Sequence, residues 1–134
     1  MKLNVYLHFK GNCREVLDFY GKVFNASPGQ TFTYGDAPAN PNHPLPEGYG
    51  EKIMHTSMDI GGSKVMFADV PLDTPDDRVT LVANTTNADE AKRIWDELSE
   101  GGTILMPLEK SYFNEAFGML IDKYGVTWNV AVDL

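Results

Sequence analysis

Three histidines, one cysteine and a scatter of carboxylates are the side chains here best suited to acid–base, nucleophilic or metal chemistry. His8 and His55 both fall in segments rich in β-formers, so two strands can carry their imidazoles across a sheet towards each other. With a carboxylate such as Asp69 they make a ligand set for zinc, iron or nickel, provided the strand register brings all three to one side. The commoner fate of a strand histidine is a plain hydrogen bond. His43 stands among prolines and asparagine, which places it at the surface without a task. Cys13 falls in the first turn of a helix, where the dipole can lower a thiol pKa. No histidine is near it in sequence, and a small semi-buried residue is the alternative. One cysteine forms no internal disulfide, so the fold does not depend on oxidation.

The elements that must position these groups come in two similar runs. Residues 3–9 predict a strand that ends at Gly11-Asn12. Asn12 and Glu15 have capping-box spacing, and Val16, Leu17, Tyr20, Val23 and Phe24 give the apolar stripe of a helix over 13–25. A strand near Gln30–Tyr34 precedes a loop, Gly35–Gly50, whose four prolines keep it out of any ladder. Segments 52–60 and 63–70 read as a hairpin turning at Gly61-Gly62. The order then repeats: a strand at Arg78–Thr86, an Asn87–Glu90 box, and a helix over 88–100 ending at Gly101-Gly102. Strands at Thr103–Met106, Phe117–Asp122 and Val126–Val132 follow. We therefore expect one domain over 1–134, α+β in class, built from modules of about 1–70 and 78–134.

Nineteen acidic against eleven basic side chains give a net charge of −8. That field repels phosphate backbones and anionic lipid, so nucleic acid and membrane surfaces are not expected partners. No run of about 20 apolar residues is present, and the start lacks the apolar stretch of a signal peptide, so a cytoplasmic location is expected. Asp73–Asp77, Glu97 and Glu100 read as solvated surface. Met54, Met58, Met66, Met106 and Met119 read as core, although adaptable methionines also suit a cavity for apolar ligands.

Several segments resemble the vicinal oxygen chelate superfamily, and within it the PhnB-like branch. They are Gly11-Asn12-Cys13-Arg14-Glu15 with Asp18-Phe19-Tyr20, Lys52-Ile53-Met54-His55, and Met66-Phe67-Ala68-Asp69. Gly101-Gly102 before Met106-Pro107-Leu108, and Asp122–Trp128, continue the likeness to the end of the chain. The resemblance implies paired βαβββ modules with curved mixed sheets enclosing a small-molecule cavity, in a homodimer. It also implies that His55, Met66, Asp69, Tyr112, Phe113 and Asn129 contact ligand, with His55 the candidate acid–base group. Relatives carry tryptophan where Phe113 stands and asparagine where Ala131 stands.

In metal-using relatives four strand positions face the cavity. Counting seven back from Asn12 and Asn87 gives Val5 and Thr80; counting four on from Gly62 and Gly125 gives Met66 and Asn129. None is imidazole or carboxylate, so no metal and no other cofactor is expected. The expected function is metal-independent binding or sequestration of a small molecule. The competing reading is a metal-dependent lyase, isomerase or dioxygenase of the glyoxalase type, using His8, His55 and a carboxylate. A methyltransferase of the demethylubiquinone type lacks the G-x-G between strand and helix that its cofactor would need.

Overall fold

The computed structural model describes residues 4–39, 41, 44–71, 79–111 and 113–134. The first run is β1 (Val5–Phe9), α1 (Cys13–Phe24), β2 (Phe32–Thr33), β3 (Ile53–Ile60) and β4 (Ser63–Asp69). The second is β5 (Leu81–Thr85), α2 (Ala88–Ser99), β6 (Thr103–Glu109), β7 (Phe117–Ile121) and β8 (Thr127–Val132). Thus βαβββ occurs twice, as the doubled pattern of strand and helix signals requires. The chain divides into two compact units, Met1–Asp73 and Thr74–Leu134. Each has a four-stranded mixed sheet, in the orders β1-β4-β3-β2 and β5-β8-β7-β6. The first and last strands of each unit run parallel and the other neighbours antiparallel. No helix among the described residues is long and apolar enough to cross a membrane.

Each helix lays its apolar stripe on one face of its sheet. α1 buries Cys13, Val16, Leu17, Tyr20 and Val23, with the Tyr20 ring 6.1 Å from that of Phe67 on β4. α2 buries Ala91, Ile94, Trp95 and Leu98. Trp95 sits where Gly118 of β7 has no side chain; a Cβ there would stand 2.6 Å from the indole. Gly61 and Gly62 both take left-handed φ, 59° and 85°, which suits a two-residue hairpin turn.

Several expectations need correcting. The strand near Gln30–Tyr34 is only Phe32–Thr33, and a single 3-10 turn follows at Tyr34–Asp36. β6 runs on from Met106 to Glu109 through Pro107, as an edge strand permits. Asn12 makes no side-chain cap bond, so the first capping box does not form. Asp69 does that work instead: its Oδ1 accepts from Gly11 N at 2.8 Å and Cys13 N at 3.0 Å, and its Oδ2 from Ile53 N at 3.0 Å. In the second unit Asn87 accepts from Glu90 N at 2.8 Å, while Glu90 reaches back to Thr86 rather than to Asn87.

The counting that turned Val5 and Met66 to the same cavity face is also corrected. Val5 pairs with Val65 and Tyr6 with Met66. Partners across a ladder share a face, so Val5 points to the α1 side with Leu7 and Phe9, and Met66 points the other way with Tyr6. Tyr6, the partner of Met66, lies six residues before Asn12, and Val82, the partner of Asn129, five before Asn87, so one offset of seven serves neither unit. Thr80 precedes β5, and the residue paired with Asn129 is Val82.

Because Asp69 holds three backbone amides, Asp69→Ala is expected to lower the unfolding free energy by about 3 kcal/mol. Asn12→Ala, with no cap bond to lose, is expected to cost no more than about 0.5 kcal/mol. Denaturant titration of both variants at neutral pH checks the contrast.

Candidate functional site

The face of the first sheet turned away from α1 gathers the aromatic and imidazole side chains. Side chains alternate along β1, so Tyr6 and His8 emerge together on this face. His8 pairs with Ala68 of β4, and Phe32 of β2 pairs with His55 of β3. Thr56 pairs with Phe67, so one step further places His55 beside Ala68. A row across the sheet therefore runs His8, Ala68, His55, Phe32. The small methyl of Ala68 leaves space between two imidazoles, and the Tyr6 ring lies there. Its centroid is 4.6 Å from that of His8 and 5.5 Å from that of His55, both edge-on. Its hydroxyl is 3.0 Å from Nδ1 of His55.

Tyr6 is 41% exposed and Phe32 39%, so both offer open aromatic surface next to His55. Met66, paired with both Tyr6 and Ser57, adds a flexible apolar side chain. Burial first, and then the nearby Cys13, raises the Tyr6 pKa, so the phenol is neutral at physiological pH. The arrangement can offer hydrogen bonds from a phenol–imidazole pair and stacking on flat apolar surface. Tyr6 is the member that reading the sequence missed. Its signal was the spacing to His8, two residues on along a strand.

Asp69 is placed elsewhere. It is 1% exposed on the α1 side, with both carboxylate oxygens bonded to the amides named above, and its backbone carbonyl accepts from Tyr34 Oη at 2.6 Å. Cys13 is fully buried beside it. Burial, and secondarily the Asp69 charge, push its pKa to about 12. The helix dipole does not outweigh burial and the Asp69 charge. Among the described residues no three His, Cys, Asp or Glu side chains gather as a metal-ion set.

In the second unit, Asn129 lies on the face away from α2, between Val82 and Met119. Its Oδ1 is buried and has no hydrogen-bond partner among the described residues. Phe113 is half exposed and packs edge-on against Phe117 at 5.1 Å. Tyr112 and His43 lie outside the described residues. Of the ligand contacts read from the sequence, His55 and Met66 are thus brought together with Tyr6. Asn129 and Phe113 belong to the second unit.

Residues 1–131 match the family model described as 3-demethylubiquinone-9 3-methyltransferase. Protein YjdN of Escherichia coli is 29% identical over 98% of this chain and 95% of its own length. A Pseudomonas aeruginosa protein of known crystal structure is 29% identical, with a TM-score of 0.83 over 98% of this chain and 97% of that one. A PhnB protein of Bacillus cereus shares the fold at 24% identity and a TM-score of 0.80, over 98% and 99% of the two chains. The fosfomycin resistance protein FosX of Listeria monocytogenes shares it at 9% identity and a TM-score of 0.65, over 98% and 91%. These likenesses show a shared fold and bear out the two-module α+β architecture expected from the sequence.

A thiol with a pKa of about 12 carries almost no thiolate at neutral pH. Native protein at pH 8 is accordingly expected to resist iodoacetamide at Cys13, and to be alkylated within minutes in strong denaturant. Intact-mass spectrometry of the two samples reads the difference.

Proposed function

The chain belongs to the 3-demethylubiquinone-9 3-methyltransferase family, and from that premise we propose that it is a PhnB-like protein that binds a small molecule without a metal, on the Tyr6–His55 face of its first sheet. The observation that carries this reading is the exposed phenol–imidazole pair, bonded at 3.0 Å and set between Met66 and Phe32. Small-molecule sites have this character: mostly apolar and aromatic lining with a few fixed polar groups. His55 supplies the polar contact; Tyr6, Phe32 and Met66 supply the apolar ones.

A divalent metal does not fit the donors available there. Two imidazoles and a neutral phenol lie on that face, and the nearest buried carboxylate, Asp69, is on the other side and fully bonded. Zinc, iron and nickel sites want three or four ligands from imidazole, carboxylate or thiolate, and two imidazoles fall short of that. The glyoxalase-type reading loses its third ligand for that reason.

A methyl-donor cofactor, which the family description implies, does not fit the strand-to-helix turns either. Such turns hold anionic or nucleotide groups with free backbone amides. At the start of α1 the amides of Gly11 and Cys13 are taken by Asp69. At the start of α2 the amide of Glu90 is taken by Asn87. The cleft of about 250 Å³ at the α1 start includes Lys52 and Arg14, but both donate to backbone carbonyls, of Gly11 and Glu51.

We also read the chain as a homodimer, supported by β6. It is an edge strand with Ile104, Leu105 and Met106 all about half exposed, and an apolar edge is a template for another copy. Light scattering at tens of micromolar is expected to give twice 14.9 kDa; a monomer would sink the dimer.

Protein purified from cells without chelators is expected to contain a co-purifying small molecule by native mass spectrometry and less than stoichiometric zinc, nickel, iron or manganese by elemental analysis. His55→Ala is expected to reduce the retained small molecule about tenfold, the loss of one hydrogen bond. One equivalent of metal that disappears with His55→Ala would instead establish the metal-dependent alternative.

A further inference from the structure

The 3.0 Å contact between Tyr6 Oη and His55 Nδ1 commits one imidazole nitrogen to the protein. Nε2 of the same ring has no hydrogen-bond partner among the described residues. A neutral imidazole carries one N–H and one bare nitrogen, so whichever role Nδ1 takes, Nε2 takes the other. Tyr6 is a phenol that stays protonated, because burial raises its pKa. A protonated phenol donates best to a bare ring nitrogen. His8 holds the phenol ring from its other side, edge-on at 4.6 Å, and Ala68 leaves room beneath it.

We infer that Tyr6 is a positioning residue: it donates to Nδ1 of His55 and holds the ring in the Nε2–H tautomer, so the group offered to a ligand is a donor and the matching ligand atom is an acceptor oxygen such as a carbonyl. The ligand half of this statement rests on the small-molecule reading above; the tautomer half does not. It gives His55 a defined polarity. A ligand that offers only N–H donors meets an N–H and is refused, whereas a flat ketone or quinone-like carbonyl both accepts the bond and stacks on Tyr6 and Phe32.

The test is long-range proton–nitrogen spectroscopy of the histidine rings in isotope-labelled wild type and Tyr6→Phe. Wild-type His55 is expected to show a bare Nδ1 and a protonated Nε2. Tyr6→Phe keeps the ring and its packing, and its amide spectrum reports whether the fold is kept. In that variant the tautomer ratio is expected to move towards Nδ1–H by about fivefold, the worth of one net hydrogen bond. A protonated Nδ1 in wild type overturns the inference, as does an unchanged ratio in folded Tyr6→Phe.

Two neutral probes of similar size, acetophenone with an acceptor only and aniline with donors, test the ligand half without bias from the −8 field. Acetophenone is expected to shift the His55 Nε2–H signal, and to bind about fivefold more weakly to Tyr6→Phe. Preference for aniline overturns the acceptor assignment. Silence of both probes, with the tautomer as stated, overturns the small-molecule reading and leaves the Tyr6–His55 bond as a property of the fold.

Discussion

The carboxylate of Asp69 is the point on which the first unit turns. It ends β4, and from there it accepts the amides that open α1 and the amide that opens β3, while its carbonyl accepts the Tyr34 hydroxyl. A buried carboxylate is costly unless its lone pairs are filled. Here they are filled by backbone groups that would otherwise be orphans at a helix start and a strand start. Three segments distant in sequence are thereby fixed to one end of the sheet. That fixes the register of β1 against β4, and the register decides which side chains emerge on the face turned away from α1.

The second unit reaches the same topology by a different local solution. α2 is capped by Asn87 and braced by Glu90 and Thr86, all within a few residues. Its buried aspartate, Asp122, serves the β7–β8 turn instead, accepting from Tyr124 N, Val126 N and the Trp128 indole. One architecture therefore tolerates a long-range cap in one copy and a local cap in the other. The long-range cap couples helix docking to sheet closure. The local one lets α2 start independently of the sheet.

On the face of the first sheet turned away from α1, polarity follows from pairing rather than from charge. Tyr6 is drawn across Ala68 to His55 because that position carries only a methyl, and a larger residue would fill the space the phenol occupies. The result is a hydrogen-bonded aromatic surface on a protein that is strongly acidic overall.

The amino-acid sequence by itself determined the architecture. Apolar spacing at three and four gave both helices to within a residue or so, paired glycines gave the hairpin at Gly61-Gly62, and the doubled order gave two βαβββ runs, because each of these signals is local. His55 and Met66, expected as ligand contacts from the family resemblance, lie in adjacent strands of that hairpin and emerge on the same face. What only the tertiary structure decided was which residues share a face. A one-residue slip between β1 and β4 exchanges Val5 for Tyr6, and no local signal fixes a register between strands separated by a helix and a long loop. The same distance hid the cap of α1: Asn12 had the right type and spacing, yet Asp69, more than fifty residues away, holds the amides. Pairings of that kind are settled by how the whole unit buries its polar groups, not by the residues on either side of them.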